Sequence, residues 1–215
     1  MSKQLLTPNQ AFAIAAAAGA DIEALSRCAS EIVVFGSWTI GAETPKSDVD
    51  LLCVGHGHRR KCDNLDIIWI TERQAEKESW LGSELANHIA AFGVWVYGQS
   101  RWIGRIHFSD VSVAEKADAI KRRANAVDAR WDHLAPRFRR FHATLIRRDL
   151  QRFRLLREDQ PVPPTRWLDE AWQKVQSPAE TIGEWMDSKE FRHTRWNWLR
   201  FSAATRRGRA EGVSL

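Results

Sequence analysis

The sequence predicts an α/β fold in its first half and an all-α domain in its second. Three observations carry this reading. Short apolar runs rich in β-branched and aromatic residues punctuate residues 33 to 98, as strands do. Beyond residue 111 the apolar residues recur at helical spacing. Charge divides at the same place: residues 1–110 hold 10 Lys and Arg against 13 Asp and Glu, a net of −3, whereas residues 111–215 hold 22 against 14, a net of +8. The expected domains are therefore 1–110 and 111–215, and a chain of 215 residues has room for two small cores.

Taken in order, Ala11 to Ala20 is apolar but too short to span a membrane, and it lacks the charged region and cleavage site of a signal peptide. Val33-Val34-Phe35 reads as a strand that stops at Gly36-Ser37. Ten residues later comes Asp48-Val49-Asp50-Leu51-Leu52, a second strand opening with two carboxylates. Residues i and i+2 of a strand share a face, so Asp48 and Asp50 project together, close enough to hold one or two divalent cations. Gly36 has no side chain to block a phosphate, and Ser37 with the following N–H groups can cradle one. Leu65 to Ile70 is a third strand, buried by composition, and Asp66 lies inside it. A carboxylate among Leu and Ile needs a metal or hydrogen bonds to compensate its burial. Asp66 thus stands out over Asp63, which lies in the preceding polar turn. Leu81 to Phe92 reads as a helix closed by Gly93, followed by a strand from Val94 to Gly98.

In the second half, Ser112 and Glu115 form a capping-box pattern. Ala117, Ile120, Ala124, Val127, Trp131 and Leu134 follow at helical spacing, and Pro136 can open the next helix. Phe138, Phe141, Leu145, Phe153 and Leu156 are expected to line its buried face. Gln160 to Pro164 reads as a linker. Further helices are expected from Ser177-Pro178 with Glu180 and from Ser188, with a frayed end from about Arg206. Trp167, Trp172, Trp185, Trp196 and Trp198, interleaved with Arg166, Arg192, Arg195 and Arg200, are expected in a helical core or on a partner face rather than as platforms for bases.

The segment from Phe35 to Leu52 resembles the signature of the nucleotidyltransferase superfamily that includes DNA polymerase beta. Within it, the segment is most similar to minimal nucleotidyltransferases of the antitoxin-like type and to antibiotic nucleotidyltransferases. The likeness extends over about residues 30 to 100. It implies a mixed sheet with helices on one side and carboxylates on the open face. It also implies Asp48, Asp50 and Asp66 as catalytic metal ligands, Gly36, Ser37 and Ser47 at the nucleotide, and two Mg²⁺ ions, with Mn²⁺ as a substitute. The reaction it implies is in-line attack of a hydroxyl on the α-phosphorus of a nucleoside triphosphate, with pyrophosphate leaving. Trp38 and Ile40 stand where many members carry arginines, so the phosphate contacts of that turn differ here.

Three functions remain open on the sequence. The first is transfer of AMP from ATP to a hydroxyl of a partner protein, as minimal nucleotidyltransferases of toxin–antitoxin pairs do. The second is transfer to an RNA end, favoured by the basic second half, or to a small polycation such as an aminoglycoside. The third is a non-catalytic partner-binding protein. Two lesser constellations are present. Cys53, His56, His58 and Cys62 could ligate zinc but match no zinc spacing. Arg137 and His142 loosely resemble the Arg-x(4–6)-His pattern of HEPN ribonucleases, although a surface or packing role is expected for His142. Three cysteines without regular spacing argue against a disulfide framework, and a cytoplasmic protein with no membrane association is expected.

Overall fold

A computed structural model describes residues 6–174. Five strands form one mixed sheet in the order β3-β4-β2-β1-β5. β1 (Ala29–Phe35) runs antiparallel to β2 (Val49–Gly55) and to β5 (Val94–Tyr97). β2 runs parallel to β4 (Leu65–Ile70), and the short β3 (Arg60–Cys62) folds back antiparallel on β4. The strands anticipated from the apolar runs are all present. Only β3, which is polar and exposed along its length, carried no hydrophobic signal.

Alternation along the strands produces two cores. Ile32, Val34, Leu51, Cys53, Leu65 and Ile67 face one side and are covered by Ala11 and Ala15 of α1 (Pro8–Ala17) and Ile22 of α2 (Ile22–Ser26). Val33, Leu52, Val54 and Ile70 face the other side. There they meet Ala75 of α3 (Glu72–Ala75), Leu81 of α4 (Glu78–Leu81), Ala86 and Ile89 of α5 (Glu84–Phe92), and Trp102. Helices thus pack on both faces, not on one as the family resemblance implied. The physical reason is that β1 and β2 are apolar on both sides, and each fully buried Leu or Ile contributes about 1.5–3 kcal/mol only when covered. Asp50 and Asp66 share the face of the α3–α5 core but sit at the strand starts, ahead of its apolar cover.

The helix expected from Leu81 is broken. Gly82 ends α4, and the Ser83 hydroxyl accepts from Ala86 N at 3.1 Å to open α5. Beyond β5 the chain forms α6 (Asp110–Asp128), α7 (Pro136–Arg157) and α8 (Thr165–Lys174). Ser112 does not cap α6. The helix starts at Asp110, and the Ser112 hydroxyl donates to the Gly82 carbonyl. Pro136 opens α7 as expected.

The described chain divides into two compact units, the first running to Ser112 and including Leu155–Glu170, the second beginning with Val113–Arg154. Within the first unit the Pro-rich segment is coil, with Val162 buried and its carbonyl 2.7 Å from His88 Nδ1. Trp167 meets Phe92 edge-on, centroids 6.1 Å apart.

Within the second unit, Ile120 and Val127 of α6 and Ala143, Ile146 and Phe153 of α7 are buried. Phe138 and Phe141 are instead about half exposed, at 45% and 56%. Phe153 and Leu156 are buried as expected and Leu145 is half-buried, so the departure is confined to the start of the helix, and the buried stripe also takes in a charge. Asp149 is buried, held by Arg123, by Arg152 at 3.4 Å and by Lys116 at 3.8 Å. The expected elements beyond residue 174, with Trp185, Trp196, Trp198 and the side chain of Trp172, lie outside the described residues. Among the described residues no helix is long and apolar enough to cross a membrane, and all three cysteines are free thiols.

Candidate active site

The parallel register of β2 and β4 sets Asp50 directly beside Asp66. Asp48 immediately precedes β2. On the other flank, Phe35 of β1 pairs with Asp50, which brings Gly36 over the Asp50 carboxylate. Gly36 has φ +84°, and a Cβ there would overlap Asp50 Oδ2. Only glycine tolerates both the left-handed backbone and this approach. The three predicted carboxylates and Gly36 are therefore gathered at one corner of the sheet.

The turn after Gly36 is built on packing. Ser37, Trp38, Thr39 and Ile40 enter a single 3₁₀ turn closed by Gly41 at φ +63°. Ile40 is 1% exposed, the Thr39 hydroxyl donates to the Gly36 carbonyl at 3.0 Å, and the Trp38 indole donates to the Ser47 carbonyl at 3.2 Å. Trp38 and Ile40, in the place of arginines, thus brace the loop. The Ser47 hydroxyl accepts from Thr44 N at 2.9 Å and pairs with the Thr44 hydroxyl at 3.1 Å. Ser37 stands at the mouth of this turn and makes no capping bond with its side chain.

Two cations that the sequence reading missed complete the corner. Arg59 forks onto Asp66, with Nε 3.2 Å from Oδ1 and Nη2 2.7 Å from Oδ2. Lys61 Nζ lies 2.9 Å from Asp48 Oδ2 and 3.7 Å from Asp66 Oδ2. Their signal was local. Asp63-Asn64 turns β3 back on β4, so Lys61 pairs with Asp66 and Arg59 follows two residues away on the same face. Recognising it required identifying a polar three-residue strand.

The electrostatics separate the three acids. The hydrogen bond from Lys61 lowers the pKa of Asp48, and that from Arg59 lowers the pKa of Asp66. Asp50 lies between them, and no hydrogen bond supports its charge. Burial, then the neighbouring Asp48 and Asp66 charges, raise its pKa from 3.8 to about 7. Lys61 and Arg59 are in turn held more firmly protonated by these acids.

Among the described residues, no three His, Cys, Asp or Glu side chains close on a common point as a metal cage. The zinc reading fails on placement. Cys53 belongs to the α1–α2 core, where burial pushes its thiol up to about 12, while His56, His58 and Cys62 are exposed. The aspartates differ in kind. As they stand, Asp48 and Asp66 are turned to ammonium and guanidinium groups, but all three offer hard oxygen donors. A half-buried carboxylate between two others is stabilised by an added cation. The donor set fits a divalent metal.

Residues 22–90 match the family described as nucleotidyltransferase domain, a span that contains every residue of this corner. No curated protein matches the chain significantly. Among solved structures it is similar to a nucleotidyltransferase-like protein from Exiguobacterium sibiricum 255-15, with 12% identity and a TM-score of 0.39 over 76% of this chain and 67% of that one. So loose a likeness adds nothing to the family match. Residues 22–90, which gather the three aspartates and Gly36 on the mixed sheet, are thus similar to a nucleotidyltransferase domain.

Proposed function

We propose that the chain transfers a nucleoside monophosphate, AMP from ATP, to a hydroxyl of a partner protein. The observation that carries the transferase reading is the meeting of Asp48, Asp50 and Asp66 beneath Gly36, within a nucleotidyltransferase domain. Mg²⁺ or Mn²⁺ held by these acids would supply charge neutralisation for the triphosphate and acidify the attacking hydroxyl. Gly36 leaves the corner open to phosphate oxygens, and Ser37, with Ser47 behind it, borders the nucleotide. In the reaction the acceptor oxygen bonds to the α-phosphorus, the bond to pyrophosphate breaks, and the acceptor proton passes to solvent. Positioning and charge carry most of such a step.

A second reading rests on α7, whose 22 residues contain eight arginines and Asp149 as their one carboxylate. That helix favours an RNA acceptor by charge alone. One experiment separates the two. Purified protein is incubated with a divalent metal, each α-labelled nucleoside triphosphate and cell extract, and the products are digested with protease or ribonuclease. Label from ATP in protease-sensitive material supports the protein acceptor. Ribonuclease-sensitive label supports RNA, and label from another nucleotide rejects AMP.

A further inference from the structure

Lys61 is placed unlike any other cation among the described residues of the first unit. Its ammonium spans two carboxylates of the site, at 2.9 Å from Asp48 and 3.7 Å from Asp66. Resting on the metal-dependent reading above, we infer that Lys61 is a tethered counter-ion of the site. Its charge neutralises the same carboxylates that ligate a divalent cation, and that cation binds only as Lys61 leaves.

The three aspartates would repel one another strongly without positive charge between them. Arg59 and Lys61 supply it, but in different ways. Arg59 grips Asp66 through two parallel hydrogen bonds in a fixed fork. Lys61 is a point charge on a flexible stem, 62% exposed, on an edge strand of three residues that is exposed throughout. Its bonds to Asp48 and Asp66 are partly solvated, so releasing them costs little. A divalent ion brings twice the charge to the same oxygens and wins the exchange when its concentration suffices. The released ammonium, still anchored at β3, is then free to meet an anionic triphosphate. Unliganded protein is thereby kept from collapsing its acids apart, and metal affinity is lowered by a competitor built into the chain. Arg60, one residue away, points to the opposite face and takes no part.

Binding of Mn²⁺ alone to the full chain tests this, with free Mn²⁺ followed by electron paramagnetic resonance. Wild type is compared with Lys61→Met, Arg60→Met and Asp50→Asn. Lys61→Met is expected to bind Mn²⁺ about tenfold tighter, while Arg60→Met stays at the wild-type value. Lys61→Gln reads out the same change should the methionine variant fold poorly. If wild type and Lys61→Met bind equally, and Asp50→Asn abolishes both, the counter-ion role is overturned and the metal site stands. If neither protein shows Mn²⁺ binding that depends on Asp50, the metal-dependent reading falls and takes this inference with it.

Discussion

Replacing Asp50 by asparagine removes a charge that the metal-free fold holds at a cost. Asp50 titrates at about 7 in the folded protein and near 3.8 when unfolded. Between these values the folded state keeps a proton that the unfolded state releases, so stability falls as pH rises. The contribution of that proton is complete below pH 3.8 and is lost as pH passes about 7. About three pH units at ~1.36 kcal/mol each set a ceiling near 4 kcal/mol. Residual solvent access and relaxation reduce this to about 1–3 kcal/mol. Asp50→Asn has no such proton. In chelator, urea denaturation should show the variant's advantage over wild type growing by about 1–2 kcal/mol from pH 5 to pH 8, most of it before pH 7. Saturating Mg²⁺ should stabilise wild type at pH 8 and leave the variant unmoved. A difference that stays constant from pH 5 to pH 8 would refute the claim that Asp50 is the strained acid of the site.

The remaining predictions concern the frame and the second unit. Gly36→Ala places a Cβ against Asp50 on a backbone at φ +84° and should lose about 1–3 kcal/mol in chemical denaturation, with metal binding impaired as well. Trp38→Phe keeps most of the packing but loses the bond to the Ser47 carbonyl, for about 0.5–1.5 kcal/mol by the same measurement. In α7, Ile146→Ala should cost about 2–5 kcal/mol, whereas Phe141→Ala should change stability by less than about 0.5 kcal/mol. The reverse order in thermal melts would reinstate the expected face.

What was legible in the sequence follows from where apolar side chains lie. β1, β2, β4 and β5 were visible as hydrophobic runs, and the carboxylates were visible because Asp48, Asp50 and Asp66 interrupt such runs. Gly36 could be read as the glycine that ends an apolar run, whereas its approach to Asp50 depends on the β1–β2 register. Arg59 and Lys61 were hidden, since β3 is too short and polar to show a period, and their role depends on cross-strand register. At the start of α7 the buried face differs from the expected one for a related reason, while Phe153 and Leu156 further along are buried as expected. Phe138 and Phe141 set an apolar phase at the start of the helix, while the true stripe passes through the small Ala143 and the charged Asp149, which pairs with Arg123. A buried ion pair is invisible to a search for hydrophobic periodicity. Helices on both sides of the sheet follow from the two-sided apolarity of β1 and β2, which the family resemblance did not imply.

The most direct test of the account is transfer itself. Purified wild type and the Asp48→Asn, Asp50→Asn double variant are supplied with a divalent metal, α-labelled nucleoside triphosphate and cell extract, and labelled acceptor is quantified beside released pyrophosphate. The account predicts that wild type yields both in equal amounts and the double variant neither, while both remain folded. Equal labelling by the two proteins, or none from a wild type that binds nucleotide and metal, would contradict it.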